Sequence, residues 1–357
     1  MHQEQLRALG YTESFAASFN ALAAADDVPA RVIAVHRNRV VVTGEFGERN
    51  ATLSPALRDA DDGARPATGD WVVVRVVSTD GDASVRAVLP RSSAFTRRAA
   101  GEKAVPQVVA ANVDRVFIVT ALPDDVNLRR LERYLAVTWE SGALPVVLLT
   151  KSDQVENVDE WVATVRAAAP GADVIAISTL AQTGLDALDA HLVPGTTIAL
   201  LGSSGVGKST LVNHLSGRSL MRTADVDEHG HGRHTTTHRE LIRLPNGVLV
   251  IDTPGMRELQ LWSSASGLEQ AFDDITALSA GCRFADCAHR TEPGCAVLSA
   301  LDDGVLDAER LASWHKLSRE IARVELQRDA VAASAARARV KSIHRLARVR
   351  QHEKNGE

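Results

Sequence analysis

Residues 200–210, LLGSSGVGKST, end a run of apolar residues and open a glycine-rich turn. The stretch contains the pattern G-x-x-x-x-G-K-S/T in full, between a predicted strand and a predicted helix, which is the setting of a phosphate-binding loop. Glycines let successive backbone N–H groups point at a phosphate, and the helix N-terminus adds positive potential. A simple glycine-rich turn is the disfavoured alternative. The predicted phosphate contacts are Gly202, Ser203, Ser204, Gly205, Val206, Gly207, Lys208, Ser209 and Thr210.

Further residues fit the phosphate end of a nucleotide. Lys208 is expected to bridge the β- and γ-phosphates, and the Ser209 hydroxyl to ligate Mg²⁺. In VLVIDTPG, residues 248–255, Asp252 ends a strand and can hold Mg²⁺ through a water, while the Gly255 N–H can meet a γ-phosphate. Because this segment follows a phosphate-binding loop and an apolar strand, it predicts the second switch of a GTPase.

The intervening segment 227–240, DEHGHGRHTTTHRE, has neither helical nor strand periodicity. It is typical of a switch loop in which a threonine reaches Mg²⁺ when the γ-phosphate is present. Thr235 and Thr236 are the expected ligands, Thr237 is also eligible, and which of them binds is open. A metal cluster is the alternative for four histidines whose spacing fits no fixed element: His229, His231, His234 and His238.

A base-reading motif lies upstream, in VVLLTKSD, residues 146–153. The Asp153 carboxylate can accept hydrogen bonds from N1–H and the 2-amino group of guanine, and the stem of Lys151 can cover the ring. Adenine has neither donor, so Asp153 disfavours an ATPase or a kinase. The segment AISTLAQTG, 176–184, fits a loop that closes over the base. The predicted base contacts are Thr150, Lys151, Ser152, Asp153 and Ser178.

These motifs stand in a circular permutation of the usual GTPase order. A binding site depends on where strands lie in a sheet, so permutation can preserve it. We expect Asp153 and Lys208 to converge from neighbouring strands onto opposite ends of one guanine nucleotide. We also expect everything after Gly255 to be tethered to the element that senses the γ-phosphate.

The spacing of apolar residues divides the chain into five parts. Regularly spaced short strands predict a small β-barrel, and alternating strands and helices with one hairpin predict a doubly wound α/β sheet, including a helix at 184–192. The predicted parts are a short helix and loose arm at 1–28, the barrel at 29–92, a basic, unpatterned linker at 93–112, the α/β domain at 113–262, and a helical, cysteine-bearing region with a basic tail at 263–357.

Composition excludes some classes of protein. The chain of 357 residues has no apolar run near the roughly 18 that a membrane span needs, and its start lacks a signal-peptide core, so we expect a cytoplasmic protein without membrane contact. The net charge is −5, yet residues 311–357 carry eleven basic against five acidic side chains. That tail indicates either an RNA contact or a solvated helix.

All three cysteines lie in one motif, Cys282-x₄-Cys287-x-His289-x₅-Cys295. Three thiolates and an imidazole complete a tetrahedral Zn²⁺ shell with no open position, which is a structural rather than a catalytic site. Chance clustering of buried cysteines is the alternative.

Over residues 30–322 the chain closely resembles the RsgA (YjeQ or EngC) family of circularly permuted GTPases that depend on the small ribosomal subunit. The resemblance rests on GDWV, LPRSSAFTRR, GRHTTTHREL, IDTPGMRELQLW and CRFADCAHRTEPGCAV together with the motifs above. It implies an N-terminal OB-fold barrel, a central permuted P-loop GTPase domain and a C-terminal helical zinc domain, with GTP or GDP, Mg²⁺ and one structural Zn²⁺ bound.

The resemblance also implies late maturation of the small (30S) subunit, contact with its 16S rRNA, and GTP hydrolysis that the subunit stimulates and that is coupled to release. A monomer is expected. The alternative is a GTP-gated RNA-binding assembly factor in which hydrolysis is incidental.

Three details bear on this reading. Thr150 stands where many GTPases have an Asn that braces neighbouring loops, which puts nucleotide affinity in question. Met256 replaces the Gln that positions water in many GTPases, so His234 in the first switch or a group from the ribosome must do so, and His234 and Lys208 are the candidate catalytic residues. The barrel arginines suit either an RNA-tracking surface or a solvated one: Arg31, Arg37, Arg39, Arg49, Arg75 and Arg86.

Overall fold

A computed structural model describes most of the chain, and its N-terminus forms two short helices. Helices α1 (His2–Ala8) and α2 (Glu13–Leu22) are joined by a tight turn, and the Thr12 hydroxyl accepts a hydrogen bond from the Phe15 N–H at the start of α2. The described residues are 2–36, 39–61, 63–76, 83–98, 106–219, 240–252 and 265–326.

Five strands then close a barrel, as predicted. They pair in the order β1-β2-β3-β5-β4, and β4 pairs back with β1. Alternate residues such as Ala30, Val32 and Val74 point inward and form the barrel core. The elements are β1 (Asp27–Val35), β2 (Val40–Gly44), β3 (Gly47–Leu53), α3 (Pro55–Arg58), β4 (Trp71–Val76) and β5 (Ala83–Val88).

The N-terminal segment is packed, in contrast to the predicted loose arm. Leu6 and Phe15 join Trp71 in a small core on the outer face of the barrel, and the ring of Tyr11 lies 4.7 Å from that of Trp71. Burial of each large apolar side chain contributes on the order of 2 kcal/mol to the free energy of folding. The two helices therefore cover one side of the barrel.

The prediction of an unpatterned linker at 93–112 is wrong. Strands β6 (Ala94–Arg98) and β7 (Pro106–Ala111) form an antiparallel pair, in which Ala94 faces Ala111. Phe95 and Val109 are buried in the core of the following domain. Arg97 and Arg98, at the end of β6, obscure the apolar alternation of that strand in the sequence.

The α/β domain has the predicted doubly wound sheet, in the order β10-β9-β8-β11-β13-β12. The first five strands are parallel, and β12 forms the predicted hairpin with β13. The predicted helix at 184–192 is instead a 3₁₀ segment, Asp186–His191. The elements are β8 (Arg115–Ala121), α4 (Leu128–Ser141), β9 (Leu144–Thr150), α5 (Val158–Ala168), β10 (Asp173–Ala176), β11 (Thr197–Leu201), α6 (Lys208–Ser216), β12 (Glu240–Arg243) and β13 (Leu249–Asp252).

Helix α4 presents the predicted apolar face to the sheet. Leu131 and Leu135 are buried, and Leu128 and Trp139 pack beside them. The Asn127 side chain caps the first turn through the Arg130 N–H, and Gly142 ends the helix in a left-handed conformation.

The C-terminal helices rest on α4. They are α7 (Ala265–Ala271), α8 (Asp273–Ser279), α9 (Ala296–Asp302) and α10 (residues 308–326). The buried Arg310 donates to Glu132 on α4 at 3.0 Å and to Asp274 on α8, and Arg133 forms a two-point ion pair with Glu320. The expected tether to the switch is therefore not the C-terminal region's sole attachment, because the buried Arg310–Glu132 pair and the half-buried Arg133–Glu320 pair also dock it on α4.

None of the described helices combines the length and the apolar character needed to cross a membrane.

Candidate functional site

The base-reading and phosphate-binding motifs both lie at the carboxyl edge of the parallel sheet. The base-reading segment follows β9, and the phosphate-binding loop follows β11. One strand, β8, lies between them, so the expectation that Asp153 and Lys208 come from neighbouring strands is wrong. Ligands of open α/β sheets bind at this edge.

The phosphate-binding loop begins at a position that only glycine fits. Gly202 has φ +145°, and a Cβ there would lie 2.2 Å from the carbonyl oxygen of Val119 on β8. Gly207 is left-handed, with φ +94°, and directly precedes α6. The loop is thereby pressed against β8 with the N-terminus of α6 beside it.

Lys208 is folded over the loop. Its Nζ donates to the carbonyl oxygen of Gly202 at 2.9 Å and to that of Ser203. Ser209 is half-buried and Thr210 is exposed, in the first turn of α6. The ammonium group is thus already held at the loop where phosphates are expected.

Thr150 joins the base-reading segment to the phosphate-binding loop. Its buried hydroxyl lies 2.7 Å from the carbonyl oxygen of Val206 and 3.3 Å from that of Thr120. The hydroxyl has one proton, which it donates to the nearer acceptor, Val206 in the phosphate-binding loop. The carbonyl of Thr150 accepts the Leu122 N–H at 2.9 Å. Threonine therefore makes the loop-to-loop brace for which many GTPases use Asn.

The carboxylate of Asp153 is oriented by the 176–184 loop. The Ser178 hydroxyl donates to Asp153 and accepts the Ala181 N–H at 2.9 Å. Ser178 and Thr183 exchange backbone hydrogen bonds that close the loop. Asp153 itself is exposed at the end of this edge. Its carboxylate is thus held in place and open to a ligand.

The remaining predicted phosphate residues are only partly covered by the structure. The backbone of Asp252 ends β13 and is paired with Glu240 on β12. His234, Thr235, Thr236, Thr237 and Gly255 lie outside the described residues, as do His229, His231, His238 and Met256.

The four predicted zinc ligands come together. Their ligand atoms all lie within 4.8 Å of one another. His289 Nδ1 is 3.4 Å from Cys295 Sγ and 3.6 Å from Cys282 Sγ, and the latter two sulfurs are 3.9 Å apart. A tetrahedron with Zn–S bonds of about 2.3 Å has edges of about 3.8 Å. The donor set therefore fits a structural Zn²⁺ site, as predicted.

Residues outside the motif support this cluster. The ring of Trp314 lies 5.3 Å from that of His289, and His315 Nε2 is 3.2 Å from the His289 carbonyl oxygen. The Leu298 N–H points at Cys295 Sγ from the first turn of α9. Sequence reasoning missed Trp314 and His315 because α10 brings them there from a part of the chain without a ligand pattern.

The barrel arginines do not form one exposed surface. Arg31 is buried, so its prediction as an RNA contact is wrong. Arg75 and Arg86 converge on the buried carboxylate of Asp27, at 3.0 and 3.6 Å. Arg49 lies over the ring of Phe46, Arg39 is exposed, and Arg37 falls outside the described residues.

Comparison with known proteins agrees with this geometry. The family model described as RsgA GTPase matches residues 88–262. Small ribosomal subunit biogenesis GTPase RsgA of Opitutus terrae is 48% identical over 97% of this chain and 98% of its own length. The protein of the same name from Methanosarcina acetivorans is 48% identical over 76% of this chain and 73% of its own length.

Solved structures show the same fold. YjeQ from Thermotoga maritima has a TM-score of 0.62 at 24% identity and covers 83% of this chain and 98% of its own. YloQ, described as a circularly permuted GTPase, has a TM-score of 0.61 at 25% identity over 83% of this chain and 96% of its own.

The fold and the permuted order of motifs thus define a circularly permuted P-loop GTPase, an enzyme that hydrolyses GTP with Mg²⁺. The near-complete match at 48% identity settles the family as well. The chain belongs to the RsgA GTPases.

Proposed function

We propose that this GTPase binds the small ribosomal subunit and acts in its late maturation, with GTP hydrolysis that the subunit stimulates and that is coupled to release. Its relatives carry the name small ribosomal subunit biogenesis GTPase. The observation that carries the nucleotide part is the 2.7 Å contact between Thr150 Oγ1 and the Val206 carbonyl, because it joins the base-reading and phosphate-binding loops.

Each predicted site residue has a proposed role in that cleft. The Asp153 carboxylate, held by Ser178, reads guanine, while Thr150, Lys151 and Ser152 shape the base pocket. Lys208 leaves the carbonyls of its own loop to bind the β- and γ-phosphates. The remaining phosphate and Mg²⁺ contacts are Gly202, Ser203, Ser204, Gly205, Val206, Gly207, Ser209, Thr210, Asp252, Gly255 and one of Thr235, Thr236 and Thr237.

The attacking water needs a group to orient it. Met256 cannot do so by hydrogen bonding, so His234 or a group of the ribosome takes this role. Activators of GTPases raise the rate by roughly 10³–10⁵. A rearrangement that depends on the ribosome therefore fits a slow enzyme that accelerates on its particle.

We propose 16S rRNA as the surface that the barrel and the basic tail contact. Arg39 is exposed on the barrel, and Arg49 stacked on Phe46 offers a cation beside an aromatic face. Residues 311–357 carry eleven basic side chains. The proposed working form is a cytoplasmic monomer divided into the N-terminal helices at 1–28, the barrel at 29–92, the GTPase domain at 113–262 with β6 and β7 contributing to its core, and the zinc domain with tail at 263–357.

Release from the particle tests the proposal. The protein is sedimented with purified small subunits in GTP, in a GTP analogue that is not hydrolysed, and in GDP, with large subunits as the control. We expect retention on small subunits with the analogue and release with GTP and GDP. Equal release with the analogue and GTP would favour the alternative in which hydrolysis is incidental.

A further inference from the structure

The Arg31 side chain lies where four parts of the chain meet. Its guanidinium donates to the carbonyl oxygens of Gly69 at 3.2 Å, Asn112 at 3.1 Å and Leu9, and to the Thr197 hydroxyl at 2.8 Å. Its exposed fraction is 1%. One buried cation therefore connects the N-terminal helices, the barrel, the end of β7 and the start of β11.

This guanidinium stays charged. Burial lowers the pKa of Arg31 to about 10, against the opposing effect of Asp114 and Asp70. A buried charge is tolerated only when its donors are satisfied, and the planar fork of arginine reaches four acceptors that a lysine ammonium cannot reach together. The site thus demands arginine rather than any basic residue.

Arg31 touches the strand that leads into the phosphate-binding loop. Thr197 is the first residue of β11, and the loop begins at Gly202, immediately after its last residue. The Thr197 N–H also donates to Asp114 at 2.7 Å, before β8. Thr197 and the loop are therefore separated by a single five-residue strand, which is a short path for a shift at Thr197 to reach the loop.

The barrel also contacts the two strands that lead to and from the predicted switches. Ala34 on β1 pairs with Glu240, which follows the first switch segment and pairs in turn with Asp252. A Cβ on Gly69 would lie 2.9 Å from Ile251 Cδ1. The barrel is therefore in contact with β11, β12 and β13, all of which adjoin the phosphate end of the cleft.

We propose that Arg31 is a positioning residue for GTP hydrolysis, which holds the amino end of β11 against the barrel and the N-terminal helices, so that binding of the barrel to its particle changes the geometry of the phosphate-binding loop. This inference rests on the proposed function, in which the barrel contacts the small subunit. Arg31 does not touch the nucleotide, and it acts through Thr197.

The test is a double-mutant cycle of Arg31→Lys and Thr197→Val. GTP turnover of the full-length protein is measured alone and with saturating small subunits, and thermal denaturation checks folding. We expect each variant to lower the ratio of stimulated to unstimulated turnover by about tenfold, within the usual range of coupling between sites. Because both substitutions remove the same contact, the stimulation ratio of the double variant should be no lower than that of either single variant.

Arg91→Lys is the matched control. Arg91 is also largely buried, but its donors reach Asp70 and the carbonyls of Gly63 and Arg65, none of which lies on β11. Its stimulation ratio should stay at the unchanged protein's value. Thr197→Val keeps the β-branched shape, so it tests the contact even if Arg31→Lys fails to fold.

Two results would overturn the inference. If the Thr197→Val variant folds and its stimulation ratio is undiminished, the Arg31–Thr197 contact does not couple the barrel to the phosphate-binding loop. If the stimulation ratio falls equally in the Arg91→Lys control, the effect of the Arg31 and Thr197 variants is a general loss of stability. If the unchanged protein itself shows no stimulation, the proposed function fails first, which sets that failure apart from the other two.

Discussion

We expect Asp153→Asn to lower the affinity for GTP by about a thousandfold and to give the protein affinity for xanthosine triphosphate. In its proposed role the carboxylate accepts from two guanine donors, whereas an amide would turn its NH₂ toward the 2-amino group and leave buried polar groups unpaired. Xanthine has a carbonyl oxygen at that position and accepts the amide proton instead. Competition between the two nucleotides for a fluorescent guanine nucleotide measures the change.

Thr150→Val is the matched control for that experiment. It removes the hydroxyl that meets the Val206 carbonyl at 2.7 Å but leaves the base-reading carboxylate intact. We expect this variant to lower the affinity for GTP and GDP by about tenfold, because one buried hydrogen bond is lost, and to gain no affinity for the xanthine nucleotide. If Asp153→Asn still preferred GTP, Asp153 would not be the base reader.

Removing zinc, by chelation or by Cys295→Ser, unfolds the segment that carries the cluster. Metal binding supplies about 10–16 kcal/mol to small structural sites, more than α8 and α9, of seven residues each, can replace by packing. We expect proteolysis to begin within 273–304 and GTP binding to persist, because the parallel sheet has its own core around Phe117 and Val250. Zinc content and limited proteolysis, followed together, check this.

His315→Gln is the control for zinc loss. His315 contacts the backbone carbonyl of His289 but supplies no ligand atom, and the Gln amide can also donate to that carbonyl, so this variant should keep one zinc ion per chain and its resistance to protease. Resistance that survived complete loss of zinc would show that the metal does not hold this region together.

The docking of the C-terminal region on α4 limits how far such damage spreads. The buried Arg310 pairs with the buried Glu132 and with the exposed Asp274, and a further, half-buried pair joins Arg133 to Glu320. These contacts join α10 to α4 independently of the cluster. Zinc loss should therefore unfold the segment that carries the cluster before α10 detaches from α4.

The sequence correctly predicts that the base-reading and phosphate-binding segments each follow a strand and lie at one edge of the sheet. Apolar runs before Lys151 and Gly202 determine where those loops lie, whatever the order of the chain. The order of strands across the sheet depends on pairing between distant segments, and this is why the position of β8 between β9 and β11 was missed.

The buried role of Arg31 shows a different limit. Alternation along β1 correctly turns Ala30 and Val32 into the barrel and Arg31 outward. The outward face is covered at this point by the N-terminal helices and the GTPase domain, which no local pattern reveals. The strands on either side of residues 99–105 were missed for a related reason, because Phe95 and Val109 find their apolar partners in another domain.

The most direct measurement of the central claim is GTP turnover by the unchanged protein alone, with purified small subunits and with purified large subunits. We expect slow turnover alone, an increase of at least about a hundredfold with small subunits, a threshold set below the roughly 10³–10⁵ of GTPase activators, and no increase with large subunits. Turnover that is the same in all three conditions, or that large subunits raise equally, would contradict the claim that this cleft responds to the small subunit.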